Sequence, residues 1–330
     1  MSSRELEEQE SVQRMLNSIS ARRGGSVSES TRRSFLIFIE KFCKFCGKTP
    51  DELIAERARD WKSDDIFTRR RHEELVLKFS QHLHQEGYAP GSISTTIGAV
   101  RSLYRANYHP LIEINIPSGN PVRAYKIPTR EELAQAVEYA GRTASLWMGP
   151  FITLAKDSGL SLQDLLSLRF DSGSPMYGTI KQQMSSGQIP IHVNIVRKKT
   201  LLNFDTFLGE DSFEALQNAK DPKIVNAMRK GGNIFEYSPV SVDIAMRKLA
   251  SRRLKWDGVF TPYSLRKWFR TQLSLDGVNE GIIEYMMGHT LGRVRSAYLI
   301  PPPQGLMKIY EEHYECLKLP SKKKRSATSS

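Results

Sequence analysis

Four side chains in one stretch have the types and spacing to act together on a phosphodiester. Tyr263, Arg266, His289 and Tyr298 lie within TPYSLRKWFRTQLSLDGVNEGIIEYMMGHTLGRVRSAY. A tyrosine hydroxyl can serve as a covalent nucleophile. A guanidinium grips phosphate through a rigid fork of donors. A histidine donates a hydrogen bond to a non-bridging oxygen or shuttles a proton. The set suits attack on phosphorus, with charge growing on the phosphoryl oxygens.

Two helices must position these groups. Thr261 is a good N-cap and Pro262 fits the first helical position. Leu265, Trp268, Phe269 and Leu273 recur at helical spacing and predict the buried face. Tyr263 and Arg266 share another face. Gly277 stops this helix. A shorter one follows, with Ile282, Ile283, Met286 and Met287 inward, and Gly288 ends it and hands the chain to His289. Tyr285, Tyr310 and Tyr314 are the rival nucleophiles, but they fit helical patterns. Tyr298 lies nine residues after His289, in a segment ended by Pro301, Pro302 and Pro303.

The stretch resembles the C-terminal signature of the tyrosine recombinases, the phage-integrase family. That signature is a helix with His-x-x-Arg, then Gly-His, then a nucleophilic tyrosine. Arg266, Gly288-His289 and Tyr298 match, and Tyr263 stands where the first histidine would be. The resemblance implies that Tyr298 forms a 3′-phosphotyrosyl link, while Arg266 and His289 stabilise the transition state. Tyr263 would hydrogen-bond the phosphate, since a phenol with a pKa of about 10 is no acid–base group near neutrality. No metal or nucleotide cofactor is implied.

Two further stretches bear on this chemistry. IPIHVNIVRKKT and LLNFDTFLG pattern as paired strands, and MYGTIKQQM also reads as a strand. Family members place a general-acid lysine on such a hairpin. The resemblance assigns it to Lys199, with Lys198 as the fallback or a DNA contact. In GLSLQDLLSLRF the family pattern is Gly-Leu-Arg with an acidic residue three positions on. Asp164 matches the acid, but Ser161 replaces the arginine. Ser161 and Asp164 read instead as a capping box. Losing one preorganised donor costs roughly 10²–10³ in rate. Arg169 lies about 12 Å along the helix, too far to substitute directly. Arg270 and Lys156 are the other candidates.

Composition agrees with a polyanionic partner. The 330 residues carry 48 Lys plus Arg against 36 Asp plus Glu, a net charge of +12. No apolar run is long enough to span a membrane. MSSRELEEQE lacks the apolar core of a secretion signal, so a cytoplasmic, nucleoid-associated location is expected. Three cysteines argue against a disulfide framework. Cys43 and Cys46 sit in an apolar helical pattern without the further ligands a structural zinc needs, and read as core thiols.

The expected fold is mainly α. Residues 1–28 read as a flexible extension, or as a short helix ahead of a flexible joint over ARRGGSVSES. Residues 29–115 read as four amphipathic helices, resembling the core-binding, SAM-like domain of the family. Arg69, Arg70 and Arg71 are candidate DNA contacts, or a solvated loop. Arg101 and Arg105 are further candidates. Residues 116–126 form a proline-rich linker, from which Arg123 and Lys126 would contact the DNA backbone. Residues 127–319 would be a mixed α+β catalytic domain with a small antiparallel sheet, and Arg252 lies on a basic helix there. A last amphipathic helix is expected to dock on a neighbouring protomer, and 320–330 form a basic, disordered tail. Double-stranded DNA is the expected partner, with a homotetramer at synapsis, a monomer without DNA, and no membrane. The functional reading is a site-specific recombinase or integrase. A catalytically impaired DNA-binding descendant and a type IB-like topoisomerase are the alternatives.

Overall fold

The computed structural model describes residues 3–22, 27–112, 114, 125–142, 145–197, 201–290 and 301–320. The chain divides into two compact units, Met1–Val122 and Arg123–Ser330. The described residues are mainly helical, with two small two-stranded sheets.

The first unit contains the four expected helices. Helix α3 (Glu29–Cys46) starts where the Ser28 hydroxyl accepts the Thr31 amide, and buries Leu36, Ile39, Phe42 and Cys43. Helix α4 (Pro50–Asp60) opens on a Thr49/Glu52 capping box with Pro50 in its first turn. Helix α5 (Ile66–Gln85) is capped by Asp65, and α6 (Pro90–Ala106) again begins on proline. Phe42 packs at a tilt against Phe79 and edge-on to Tyr104, with ring centroids 5.2 and 6.4 Å apart. Burial pushes the Cys43 thiol up to about 12, as befits an unreactive core thiol.

Two features correct the sequence reading of this unit. The N-terminal segment is not a loose extension. Helices α1 (Ser3–Glu7) and α2 (Glu10–Arg22) pack into the same core, with Leu6, Val12 and Met15 fully buried. Val12, Met15, Leu16 and Ile19 make a narrow helical stripe inside a polar segment, which average polarity conceals. The side-chain amide of Asn107 donates to the Ser11 carbonyl at 3.0 Å, fastening α2 to the end of α6. The Arg69–Arg71 run is no loop either; it lies in the first turns of α5.

A buried ion pair links α4 and α5. Arg57 is fully buried and makes a two-pronged bond to Glu73, with N···O distances of 2.6 and 3.0 Å. Arg57 also donates to the Arg69 carbonyl, and Glu73 accepts the Ile112 amide at 3.0 Å.

The second unit begins with α7 (Arg130–Ala140), opened by the expected Thr129/Glu132 capping box. Helix α8 (Met148–Ser158) is buried along its whole length. It is followed by α9 (Leu162–Leu166), β1 (Gly173–Ser174), β2 (Gly178–Thr179) and α10 (Ile180–Ser185). The strand expected over MYGTIKQQM is therefore mostly helix. Thr179 and Gln182 form a capping box that starts α10 directly after a two-residue strand.

The hairpin of β3 (Ile191–Val196) and β4 (Asn203–Leu208) is antiparallel, running from Ile191 opposite Leu208 to Val196 opposite Asn203. Helices α11 (Glu210–Gln217), α12 (Pro222–Lys230) and α13 (Pro239–Lys248) follow. Helix α13 continues as a widened π-helical turn over Leu249–Leu254. Then come α14 (Pro262–Leu275), α15 (Glu280–Met286) and α16 (Pro303–His313). Outward docking of the last helix is not what the chain displays. Leu306, Tyr310 and Leu317 join the core of their own unit, and the Tyr314 hydroxyl accepts the Asp211 amide at 2.9 Å.

Candidate active site

Arg266 lies on α14 and is only 6% exposed. Its donors go to the ends of two other helices. Nη1 donates to the Gly159 carbonyl at 2.6 Å, and Nη2 to the Met287 carbonyl at 2.7 Å. Gly159 ends α8 and Met287 ends α15, so two helix C-termini turn unpaired carbonyls towards one cation. The close approach depends on Gly159. Its φ is +60°, and a Cβ there would sit 2.4 Å from the Phe269 ring of α14. Burial, and then the neighbouring Arg197, lower the Arg266 pKa to about 10, which leaves it charged near neutrality.

His289 follows α15 directly. Its Nε2 is 2.6 Å from Arg266 Nη2, and its Nδ1 bonds Glu284. Arginine only donates, so Nε2 accepts and the ring proton lies on Nδ1, directed at Glu284. Burial holds the His289 pKa below its ordinary 6.5, against the opposing pull of Glu284. Arg270 Nε lies 3.0 Å from Glu284 and steadies it.

Ser161 caps α9. Its hydroxyl donates to Asp164 Oδ2 at 2.6 Å and accepts the Asp164 amide at 3.3 Å. A third basic residue approaches the same carboxylate from the hairpin: Arg197 Nε is 3.6 Å from Asp164 Oδ2. Arg197 Nη1 also donates to the Gly288 carbonyl. Gly288 has φ +68°, and a Cβ there would meet the Phe204 ring of β4 at 2.7 Å. This contact sets the Val196–Asn203 end of the hairpin, where β3 connects to β4, beside the end of α15. Ser161, Arg197, Tyr263, Arg266 and His289 line one cavity of about 460 Å³.

No protein-family model matches the chain, and no curated protein matches its sequence. Solved structures do match. A lambda integrase dimer bound to a COC′ core site aligns with a TM-score of 0.58 at 14% identity, covering 87% of this chain and 93% of that one. The Tn1549 transposon integrase in complex with transposon right end DNA gives 0.54 at 14%, covering 91% and 98%. A lambda integrase tetramer bound to a Holliday junction gives 0.58 at 14%, covering 87% and 75%. The chain has the tyrosine-recombinase fold.

On this fold the expected residues separate into three groups. Arg266, His289 and Tyr263 meet at the cavity. Tyr263 is half exposed, with its ring edge-on to Tyr125 at 5.1 Å. Tyr298, Lys198, Lys199 and Arg123 lie outside the described residues. The third group is the proposed DNA contacts. Arg105 and Arg252 are exposed, whereas Arg69, Arg70 and Arg101 are half-buried. Arg71 pairs with Glu56 at 3.2 Å and Asp60 at 3.5 Å, and Lys126 with Glu132 at 2.6 Å.

The candidates to replace the arginine missing at Ser161 are engaged elsewhere. Lys156 is fully buried between Asp157, Asp211 and the Leu317 carbonyl. Arg169 pairs with Asp171 at 2.7 Å. Arg270 pairs with Glu280 and Glu284. Sequence reasoning missed Arg197, the first basic residue of RKKT, because the family resemblance points only to the lysines that follow it. The rival tyrosines are also occupied. Tyr285 donates to Asp205 at 2.7 Å and buried Tyr310 to the Asp157 carbonyl at 3.0 Å. Burial raises the pKa of both, and of Tyr314, which does not favour a nucleophile.

Proposed function

We propose that this chain is a site-specific DNA recombinase, an integrase that cuts and rejoins duplex DNA through a 3′-phosphotyrosyl intermediate. The carrying observation is the bond between Arg266 and a neutral His289 at one cavity, on a fold shared with integrases solved on DNA. Tyr298 Oη attacks the scissile phosphorus as the bond from phosphorus to the 5′ oxygen breaks. Arg266 holds the non-bridging oxygens, where charge accumulates. Once Arg266 Nη2 turns from His289 to the phosphate, His289 Nε2 is free to take the tyrosine proton, and Lys199 supplies a proton to the departing 5′ oxygen. Tyr263 adds a hydrogen bond at the mouth of the cavity. Attack by a 5′-hydroxyl of a partner strand reverses each step, so the phosphotyrosyl bond carries the energy for rejoining. Arg69, Arg70, Arg101, Arg105, Arg123, Lys126, Lys198 and Arg252 would neutralise DNA phosphates. Four protomers would act on two duplexes.

Detection of the covalent adduct tests this reading. The protein is incubated with supercoiled DNA carrying the flanks of its own gene, then denatured, and protein-linked DNA is scored. The wild type should give an adduct and Tyr298→Phe none. If the wild type binds with salt sensitivity yet leaves even nicked half-sites uncut, the chain is a DNA-binding descendant of the fold.

The histidine assignment carries a pH expectation. His289 must be neutral to accept a proton, and burial keeps it neutral to a pH below the ordinary imidazole value of 6.5. Adduct formation should therefore stay level from neutral pH down to that value and fall only below it, as Nε2 becomes protonated. A fall beginning well above 6.5 would contradict the assignment.

A further inference from the structure

We infer that Arg197 is a phosphate-holding residue of this site, supplying from the β-hairpin the second guanidinium that position 161 lacks. The inference rests on the recombinase reading. It begins from the charges around the cavity. Arg247 is paired with Asp243 at 2.6 Å, and Glu284 is engaged by Arg270 and His289. Arg197 then has Asp164 as its nearest acid, and Arg266 feels Asp164 and Glu284 without a hydrogen bond to either. Asp164 is no close partner of Arg197, at 3.6 Å, and its Oδ2 already accepts the Ser161 hydroxyl. Arg266 directs its donors to two carbonyls and an imidazole, none of them anionic.

Two guanidiniums that share a cavity with no close carboxylate hydrogen bond among the described residues make a site for an anion. Their mutual effect is visible in Arg266, whose pKa Arg197 helps to lower. Each guanidinium is anchored through a carbonyl at the end of α15, Arg266 by Met287 and Arg197 by Gly288. Anchoring of this kind aims donors before the substrate arrives, which is what makes them effective on a developing charge. The side chain of Arg197 is 15% exposed, so it is held yet still reachable.

Asp164 Oδ2 also fixes the geometry of the replacement. The same oxygen meets Ser161 Oγ at 2.6 Å and Arg197 Nε at 3.6 Å, so the guanidinium lies one carboxylate away from the short side chain of position 161. An arginine at 161 would compete for that space. Ser161 therefore leaves room for Arg197, and the hairpin provides the charge.

The test uses full-length protein and the covalent-adduct assay on the flanking DNA. Arg197→Gln keeps a donor for the Gly288 carbonyl but removes the charge. It should slow adduct formation on the order of 10²–10³-fold, with DNA binding and melting temperature close to wild type. Arg197→Lys should recover part of the loss, since it returns charge without the fork. Adding Ser161→Arg to Arg197→Gln should restore at least about tenfold of the rate. A scissile methylphosphonate, which lacks the negative charge, separates contact from positioning. On it, Arg197→Gln and wild type should differ by less than about tenfold. If the deficit is the same on both substrates, Arg197 only positions Gly288 and His289, and the inference fails. If Arg197→Gln stays within about threefold of wild type on the phosphate, the inference fails and the recombinase reading stands. If wild type forms no adduct, the recombinase reading falls first.

Discussion

An Arg266→Ala variant should lose adduct formation on the order of 10²–10³-fold or more, and should also melt at a lower temperature. The two effects have separate causes. Catalytic loss follows from removing a charged donor at the phosphoryl oxygens. Stability loss follows because the Gly159 and Met287 carbonyls, which Arg266 joins at 2.6 and 2.7 Å, would lose their partner inside the unit. Each orphaned group costs about 1–3 kcal/mol. Arg266→Lys should preserve some stability but little rate, because a single ammonium cannot reach both carbonyls and the phosphate together. Adduct kinetics and thermal melting on the same preparations separate the two. An Arg266→Ala protein that reacts at the wild-type rate would remove Arg266 from the chemistry.

The largest stability effect is expected in the first unit, at Glu73. Arg57 is fully buried, and Glu73 is its carboxylate partner in a two-pronged bond. Glu73→Ala leaves a buried cation without its counter-charge, a loss of about 3–5 kcal/mol for the first unit. The Ile112 amide loses its acceptor as well. Trp61, whose ring lies 4.8 Å from the Arg57 guanidinium, gives a local fluorescence signal for the transition in urea. An Arg57→Met/Glu73→Leu double variant should be much less damaged, because it removes both charges and refills the space. If Glu73→Ala unfolds at the wild-type urea concentration, the pair does not hold α4 to α5.

How much of this could be read from the chain depended on the range of the interactions. Local signals served well. The Thr49/Glu52 and Thr129/Glu132 capping boxes lie where their residues predict, and so do the apolar stripes of the four helices from Glu29 to Ala106. Failures came where a short signal competed with a longer pattern. Thr179 with Gln182 turned an apparent strand into α10. The stripe from Val12 to Ile19 was hidden by polar neighbours.

The sequence by itself determined the helical character of the chain, the β3–β4 hairpin, and the motif carrying Arg266, His289 and Tyr298. Each of these is written in neighbouring residues, through periodicity, caps and fixed spacing. Only the tertiary structure decided that Arg266 joins the ends of α8 and α15, that His289 turns an unprotonated Nε2 to Arg266, and that Arg197 enters the cavity. Those facts depend on carbonyls and rings far apart in the chain: Gly159 against Phe269, and Gly288 against Phe204. A guanidinium on a long side chain can serve a site from any element that packs close enough. Its position along the sequence therefore does not reveal which anion it will hold.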